Sequence, residues 1–119
     1  MLDHDDIWND QHLEVLFRCF SMYPDTAMVF DNAEYFGDGA QGSKLHLKPQ
    51  GLQFLMGKTV SPKVLLWQYP IASMSVIMVK KAVFEKLGGL NEAIVALDDL
   101  HFYLRLAARE AVRYVDYLG

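Results

Sequence analysis

A single cysteine, Cys19, stands in this sequence, so no disulfide can close within the chain and no cysteine-based zinc cluster can form. That usage fits a reducing compartment. Positive charge is also scarce: eleven Lys and Arg against fifteen Asp and Glu give a formal charge of -4, without the basic footprint that phosphate-backbone binding requires. No nucleic acid partner is expected. Long apolar runs are missing, and stretches such as Val64 to Trp67 and Val76 to Val79 fall far short of the roughly 20 residues that cross a bilayer. The opening Met1 to Asp6 has neither the basic start nor the apolar stretch of a secretory signal. These absences predict a cytoplasmic protein with no membrane span of its own, and they leave attachment at a membrane surface open.

What is present suffices for one core. The chain has 119 residues, 52% of them hydrophobic, which excludes both disorder and a second complete domain. Leu13, Leu16, Phe17 and Phe20 repeat at helical spacing between Asp10 and Met22, with Glu14 and Arg18 as an outward i,i+4 pair, and predict a helix that stops before Pro24. Ala27 to Phe36, bounded by turn formers, predicts a strand. Residues 37 to 50 read as an exposed loop, Gly51 to Gly57 as a short helix, and the stretch up to Pro70 is ambiguous. Ser73 to Lys80 predicts a second strand, and Lys81 to Leu87 a short helix closed by Gly88 and Gly89. Leu100, Tyr103, Leu104, Ala107, Ala108 and Ala111 form a 3.6-period stripe, with Asp98 and Asp99 at its start and Arg105, Arg109 and Arg113 toward its end. Val112 to Tyr117 predicts a last strand.

Two acidic clusters could carry chemistry. Asp98 and Asp99 precede a helix, where N-capping and dipole charge are sufficient reasons for them. Asp3, Asp5 and Asp6 lie too far ahead of the first helix for that account. An Asp-x-Asp pair places two carboxylates within reach of one hard cation, which suits Mg or Mn on a diphosphate. An EF-hand is excluded, because Ile7 and Trp8 occupy loop positions that need an oxygen ligand and a glycine.

Several segments, in order, resemble the family-2 glycosyltransferases of the GT-A fold. Leu2 to Trp8 is similar to that family's "LDxDDxW" motif. Met78 to Glu92 is similar to its stretch of a strand, two basic residues and a "GGFxE" turn, and Asp98 to Ala107 to its "EDxDLxLRLA" helix start. Tyr114 to Asp116 resembles the strand that follows. The resemblance implies an α/β fold in which a mixed sheet is flanked by helices. It also implies that the amino-terminal nucleotide-binding half is absent, so that residues 1 to 119 form one truncated domain.

The same resemblance implies a metal-dependent, inverting transfer of a sugar from a nucleotide-diphosphate donor, a UDP-sugar foremost, to a hydroxyl acceptor. Asp3 and Asp5 would hold the Mn or Mg ion, with Asp6 and Trp8 near the donor. Asp99 would be the general base, with Asp98 its neighbour, and Asn91, Glu92 and His101 would lie near the acceptor. His101 stands where the family carries an acidic residue. A half-domain would expose sheet edge and core surface, which predicts weak or no catalysis from the chain alone and association between copies. Two other readings remain open: a non-catalytic interaction half-domain, and a Mg-dependent phosphatase of the haloacid dehalogenase type. Cys19 is expected to be buried, Trp8 and Trp67 to pack, and Lys80 and Lys81 to be solvated. His4, His12 and His46 have no metal-ligand spacing.

Overall fold

A computed structural model describes residues 3–36, 44–45, 55–94 and 96–119. The elements follow as α1 (His12–Met22), β1 (Thr26–Asn32), β2 (Glu34–Tyr35), β3 (Lys44–Leu45), α2 (Pro62–Gln68), β4 (Ile77–Val79), α3 (Lys81–Lys86), α4 (Asp98–Ala107) and β5 (Ala111–Leu118). A three-stranded mixed sheet runs β4-β1-β5, with β4 antiparallel and β5 parallel to the central strand. The fold is therefore α/β, as the sequence predicts.

Every residue of β1 is buried, so both faces of the sheet must be covered. On one face Leu16 and Cys19 of α1 pack against Val29. On the other, Leu65 of α2 and Phe102 and Leu106 of α4 join Met28, Phe30, Val112 and Tyr114 in the main core. Strand alternation explains the division, since Met28 and Phe30 point one way and Val29 the other.

The helical faces differ from the sequence expectation. In α1 the buried residues are His12, Leu16 and Cys19, while Leu13 and Phe17 are exposed. The helix is rotated so that a histidine, not a leucine, enters the core at its first turn. In α4 the buried residues are Phe102, Tyr103 and Leu106, and the helix ends at Ala107, so Ala108 and Ala111 leave the predicted stripe. Ser73 to Lys80 is only partly strand: Met74–Val76 form a 3-10 turn, capped by Ser73 Oγ accepting from the Ser75 amide at 3.1 Å, before β4 begins. The ambiguous stretch holds α2, whose start is set by Ser61 and by Pro62 at the first helical position. The predicted helix at 51–57 lies largely outside the described residues. Within the predicted loop, Lys44 and Leu45 pair with Tyr35 and Glu34. Trp67 does not pack; it is 76% exposed.

Gly88 and Gly89, at φ +77° and +66°, close α3 as expected. Arg105 completes that closure by donating to the carbonyls of Leu87 and Gly89 at 2.6 and 2.5 Å. Arg113 is not at a helix end but in β5. Its guanidinium lies 4.3 Å from the Tyr23 ring centroid and donates to Thr26 Oγ1 at 2.9 Å, to the Gly57 carbonyl at 2.8 Å, and to both Asp25 carboxylate oxygens. One planar cation thus joins β5 to the end of α1, the start of β1 and the segment beside β5. That segment covers the outer side of β5, where the Val60 amide donates to the Val112 carbonyl at 2.7 Å. Among the described residues, no strand covers the outer edge of β4.

Lysine at position 113 keeps the charge but loses the fork and the ring stack. Arg113→Lys is expected to lower unfolding free energy by about 2 kcal/mol in urea denaturation. Asp25→Asn, at the exposed end of the same network, is expected to cost less than about 1 kcal/mol.

Candidate functional site

The two acidic clusters lie far apart in sequence, and the fold brings both to one tyrosine. Tyr103, in the second turn of α4, is buried, and its hydroxyl meets Met74 Sδ at 2.9 Å. Burial raises its phenol far above the ordinary value, and the charges of Asp99, Tyr69, Asp98 and Asp3 raise it further. The charges of Asp3, Asp98 and Asp99 are thus all felt at Tyr103. Asp99 also opposes the ionisation of Tyr69.

The segment Ser73–Ser75 anchors the first cluster. The Asp3 amide donates to Ser75 Oγ at 2.9 Å, and Ser73 Oγ donates to Asp6 Oδ2 at 3.2 Å. The Asp6 amide closes a turn onto the Asp3 carbonyl. Trp8 ends the segment, its indole N–H donating to the Ser75 carbonyl at 2.8 Å. A cavity of about 90 Å³ opens beside it, lined by Asp6, Trp8, Tyr35, Phe36, Ser73 and Ser75 among others.

The second cluster forms the first turn of α4. Leu97, the preceding residue, adopts a left-handed backbone at φ +59°, and the Leu100 amide donates to Asp99 Oδ1 at 2.7 Å. Tyr69 at the end of α2 is left-handed too, at φ +46°. These are the two non-glycine residues with positive φ among those described, and they flank the same acidic ground.

The other candidates fall outside this convergence. Asn91 organises its own turn, accepting from the Ala93 amide at 3.1 Å, and Glu92 is exposed. His101 is half-buried on α4, with Nδ1 unpaired. His4 is exposed and 3.9 Å from Asp5. Lys80 is not simply solvated: it donates to the Pro24 carbonyl at 2.7 Å and lies over the Phe20 ring. Cys19 is buried as expected, which pushes its thiol up.

Asp3 and Asp5 carry the oxygen donors that a hard divalent cation takes. Asp3 and Asp5 are exposed, and among the described residues no hydrogen bond engages the Asp3 carboxylate. Mg and Mn commonly take one or two carboxylates and fill their remaining positions with water and phosphate oxygens. No group of three or more His, Cys, Asp or Glu side chains converges as a cation cage among the described residues.

One feature of this region escapes sequence reasoning. His12 Nδ1 lies 2.9 Å from Asp31 Oδ2 with both side chains almost wholly buried, and the Trp8 indole stacks on the His12 ring at 4.8 Å. Burial raises the Asp31 carboxyl to about 8 and lowers His12 below its ordinary value. Both shifts favour the neutral forms of the two groups near pH 7. Nε2 reaches no partner at bonding distance, nor does Asp31 Oδ1. The available signal was Asp31 itself, since a carboxylate inside an apolar strand demands a partner.

In a comparison with known proteins, the chain is 27% identical over 107 residues to an uncharacterized glycosyltransferase of Haemophilus influenzae. That similarity takes in 88% of this chain but 34% of the relative, so the chain spans about a third of the relative's length. No protein-family model matches, and no solved structure matches. Among the described residues, no helix is long and apolar enough to cross a membrane.

The buried pair sets a pH dependence. An unfolded Asp31 ionises near pH 4 and an unfolded His12 loses its proton near 6.5. Between those values the raised Asp31 and the lowered His12 act in opposite directions on stability. From pH 6.5 to 8 the unfolded chain has lost the imidazole proton while folded Asp31 retains its own, so stability falls as pH rises. Urea midpoints should drop across this window by the equivalent of about 1–2 kcal/mol, and Asp31→Asn should remove that slope.

Proposed function

We propose that this chain is part of a metal-dependent glycosyltransferase of family 2, a partial GT-A fold with a DxD-type acidic segment, using a nucleotide-diphosphate sugar, a UDP-sugar foremost, and a hydroxyl acceptor. The carrying observation is that the Ser73–Ser75 turn binds the Asp3 amide through Ser75 and the Tyr103 hydroxyl through Met74, on the helix that Asp98 and Asp99 open. The similarity to a glycosyltransferase over most of the chain supports the same reading.

In this reading Asp3 and Asp5 hold a Mn or Mg ion, which when bound offsets negative charge on the donor diphosphate. Ser75 fixes the Asp3 backbone, and Ser73 fixes the Asp6 carboxylate beside it. Asp99 accepts the proton of the acceptor hydroxyl as that oxygen bonds to the anomeric carbon and the bond from that carbon to the diphosphate breaks. The electron pair leaves with the nucleoside diphosphate, and attack opposite the leaving group inverts the anomeric centre. Asp98 keeps the approach to Asp99 acidic. Asp6 and Trp8 border the cavity beside the donor, while His101, Asn91 and Glu92 serve the acceptor side.

Calorimetric titration of UDP with and without Mn tests this reading. Binding is expected to require Mn and to weaken at least about tenfold in Asp3→Ala/Asp5→Ala, whereas Asp99→Asn should leave it within about twofold. Mn-independent binding, or binding indifferent to the two aspartates, would overturn it.

A second reading, association between copies as a non-catalytic interaction module, is favoured by a different observation. The outer edge of β4 lies in a groove of about 350 Å³, lined by Ile77, Met78 and Val79 from both strand faces and by Trp8, Leu13 and Phe84. A second copy offers the same apolar strand for antiparallel pairing, which makes the surface self-complementary. Sedimentation should show dimers at about 100 µM and a shift toward monomer in Leu13→Glu. A wild-type monomer at that concentration would sink this reading.

A further inference from the structure

We infer that His12 and Asp31 are positioning residues for the acidic segment, holding it in place through Trp8. The inference rests on the proposed donor role of Asp3 and Asp5. It begins with an oddity of α1: the first-turn position that enters the core is a histidine, although Leu13 beside it is 51% exposed. A leucine would fill the same space without the cost of burying a polar ring. The geometry shows what the imidazole adds.

Asp31 is fixed in the central strand, the most enclosed element of the fold. Its Oδ2 holds His12 Nδ1 at 2.9 Å, which sets the orientation of the ring. The ring in turn carries the Trp8 indole, stacked at 4.8 Å with 26° between planes. Trp8 then donates to the Ser75 carbonyl, and Ser75 Oγ accepts from the Asp3 amide. The acidic segment is thus tied at Trp8 to the His12 ring and at Asp3 to Ser75, both of them buried. A flat ring suits the indole face as an aliphatic side chain does not, and only a ring with a nitrogen at Nδ1 can be oriented by Asp31. The packing around the pair is tight, because a side chain at Gly119 would run into both Asp31 and His12. Gly119 thus closes directly over the pair.

The test follows the Trp8 indole N–H and the Asp6 amide by NMR hydrogen exchange in a Trp67→Phe background, which leaves one indole. His12→Leu is expected to speed exchange at both sites at least about tenfold, while β1 and β5 amides stay within about twofold. Asp31→Asn, which can still bond Nδ1, should remain within about threefold of the parent. Unchanged exchange at Trp8 and Asp6 in His12→Leu, or an equal loss of protection throughout the sheet, would overturn the inference. Should His12→Leu fail to fold, Trp8→Ala decides: exchange at the Asp6 amide must rise by about tenfold, and an unchanged rate is fatal to the idea. Mn affinity, read by the free-ion resonance signal, separates this inference from the function it rests on. A parent that binds no Mn refutes the donor-site role of Asp3 and Asp5, while the exchange rates still decide the anchoring. A parent that binds Mn should lose at least about fivefold in His12→Leu and little in Asp31→Asn.

Discussion

Complete burial of β1 is the constraint on which this structure depends. A strand enclosed on both faces and paired on both edges needs helices above and below it, and its own polar groups must find partners within the protein. Thr26 at one end receives Arg113, and Asp31 near the other receives His12. The two polar contacts differ in kind. Arg113 reaches outward to a mostly exposed carboxylate and gathers four parts of the chain, whereas His12 and Asp31 pair with each other inside the core, beneath Trp8.

The acidic ground is assembled on short pieces of backbone rather than on one rigid element. Ser73–Ser75 contacts Asp3, Asp6 and Trp8, and Met74 of the same turn meets the Tyr103 hydroxyl. This turn is the physical bridge between the start of the chain and α4. Its serines act through oxygen atoms that both accept and donate, so a few residues satisfy the loop amide, the Asp6 carboxylate and their own cap. Through this turn the start of the chain and the helix that Asp98 and Asp99 open are tied to one element.

Local patterns carried much of this architecture into the sequence. Apolar and aromatic residues between turn formers mark β1, Gly88 and Gly89 mark the end of α3, and charge polarity marks α4. The faces of α1 and α4 were not legible, because apolar spacing at Leu13 and Phe17 satisfies the same period as His12, Leu16 and Cys19. Only the packing of β1 against the helix decides between the two stripes. Ser73 to Val76 looks extended by composition, yet Ser73 turns the backbone into a 3-10 turn through a local bond no periodicity reveals. Arg113 belonged to a helix by charge and to a strand by burial. Long-range contacts such as His12 with Asp31 leave almost no local trace.

The left-handed backbone at Tyr69 and Leu97 has a consequence for anyone who tries to harden this protein. Each residue carries a steric load that glycine would relieve, of order 1 kcal/mol, and each sits beside the carboxylates rather than in the core. A search for heat-resistant variants would therefore be drawn to these positions early. The gain would come from relaxing the joints that set where α2 ends and α4 begins, so resistance to heat and the placement of Asp98 and Asp99 are opposed at the same two residues.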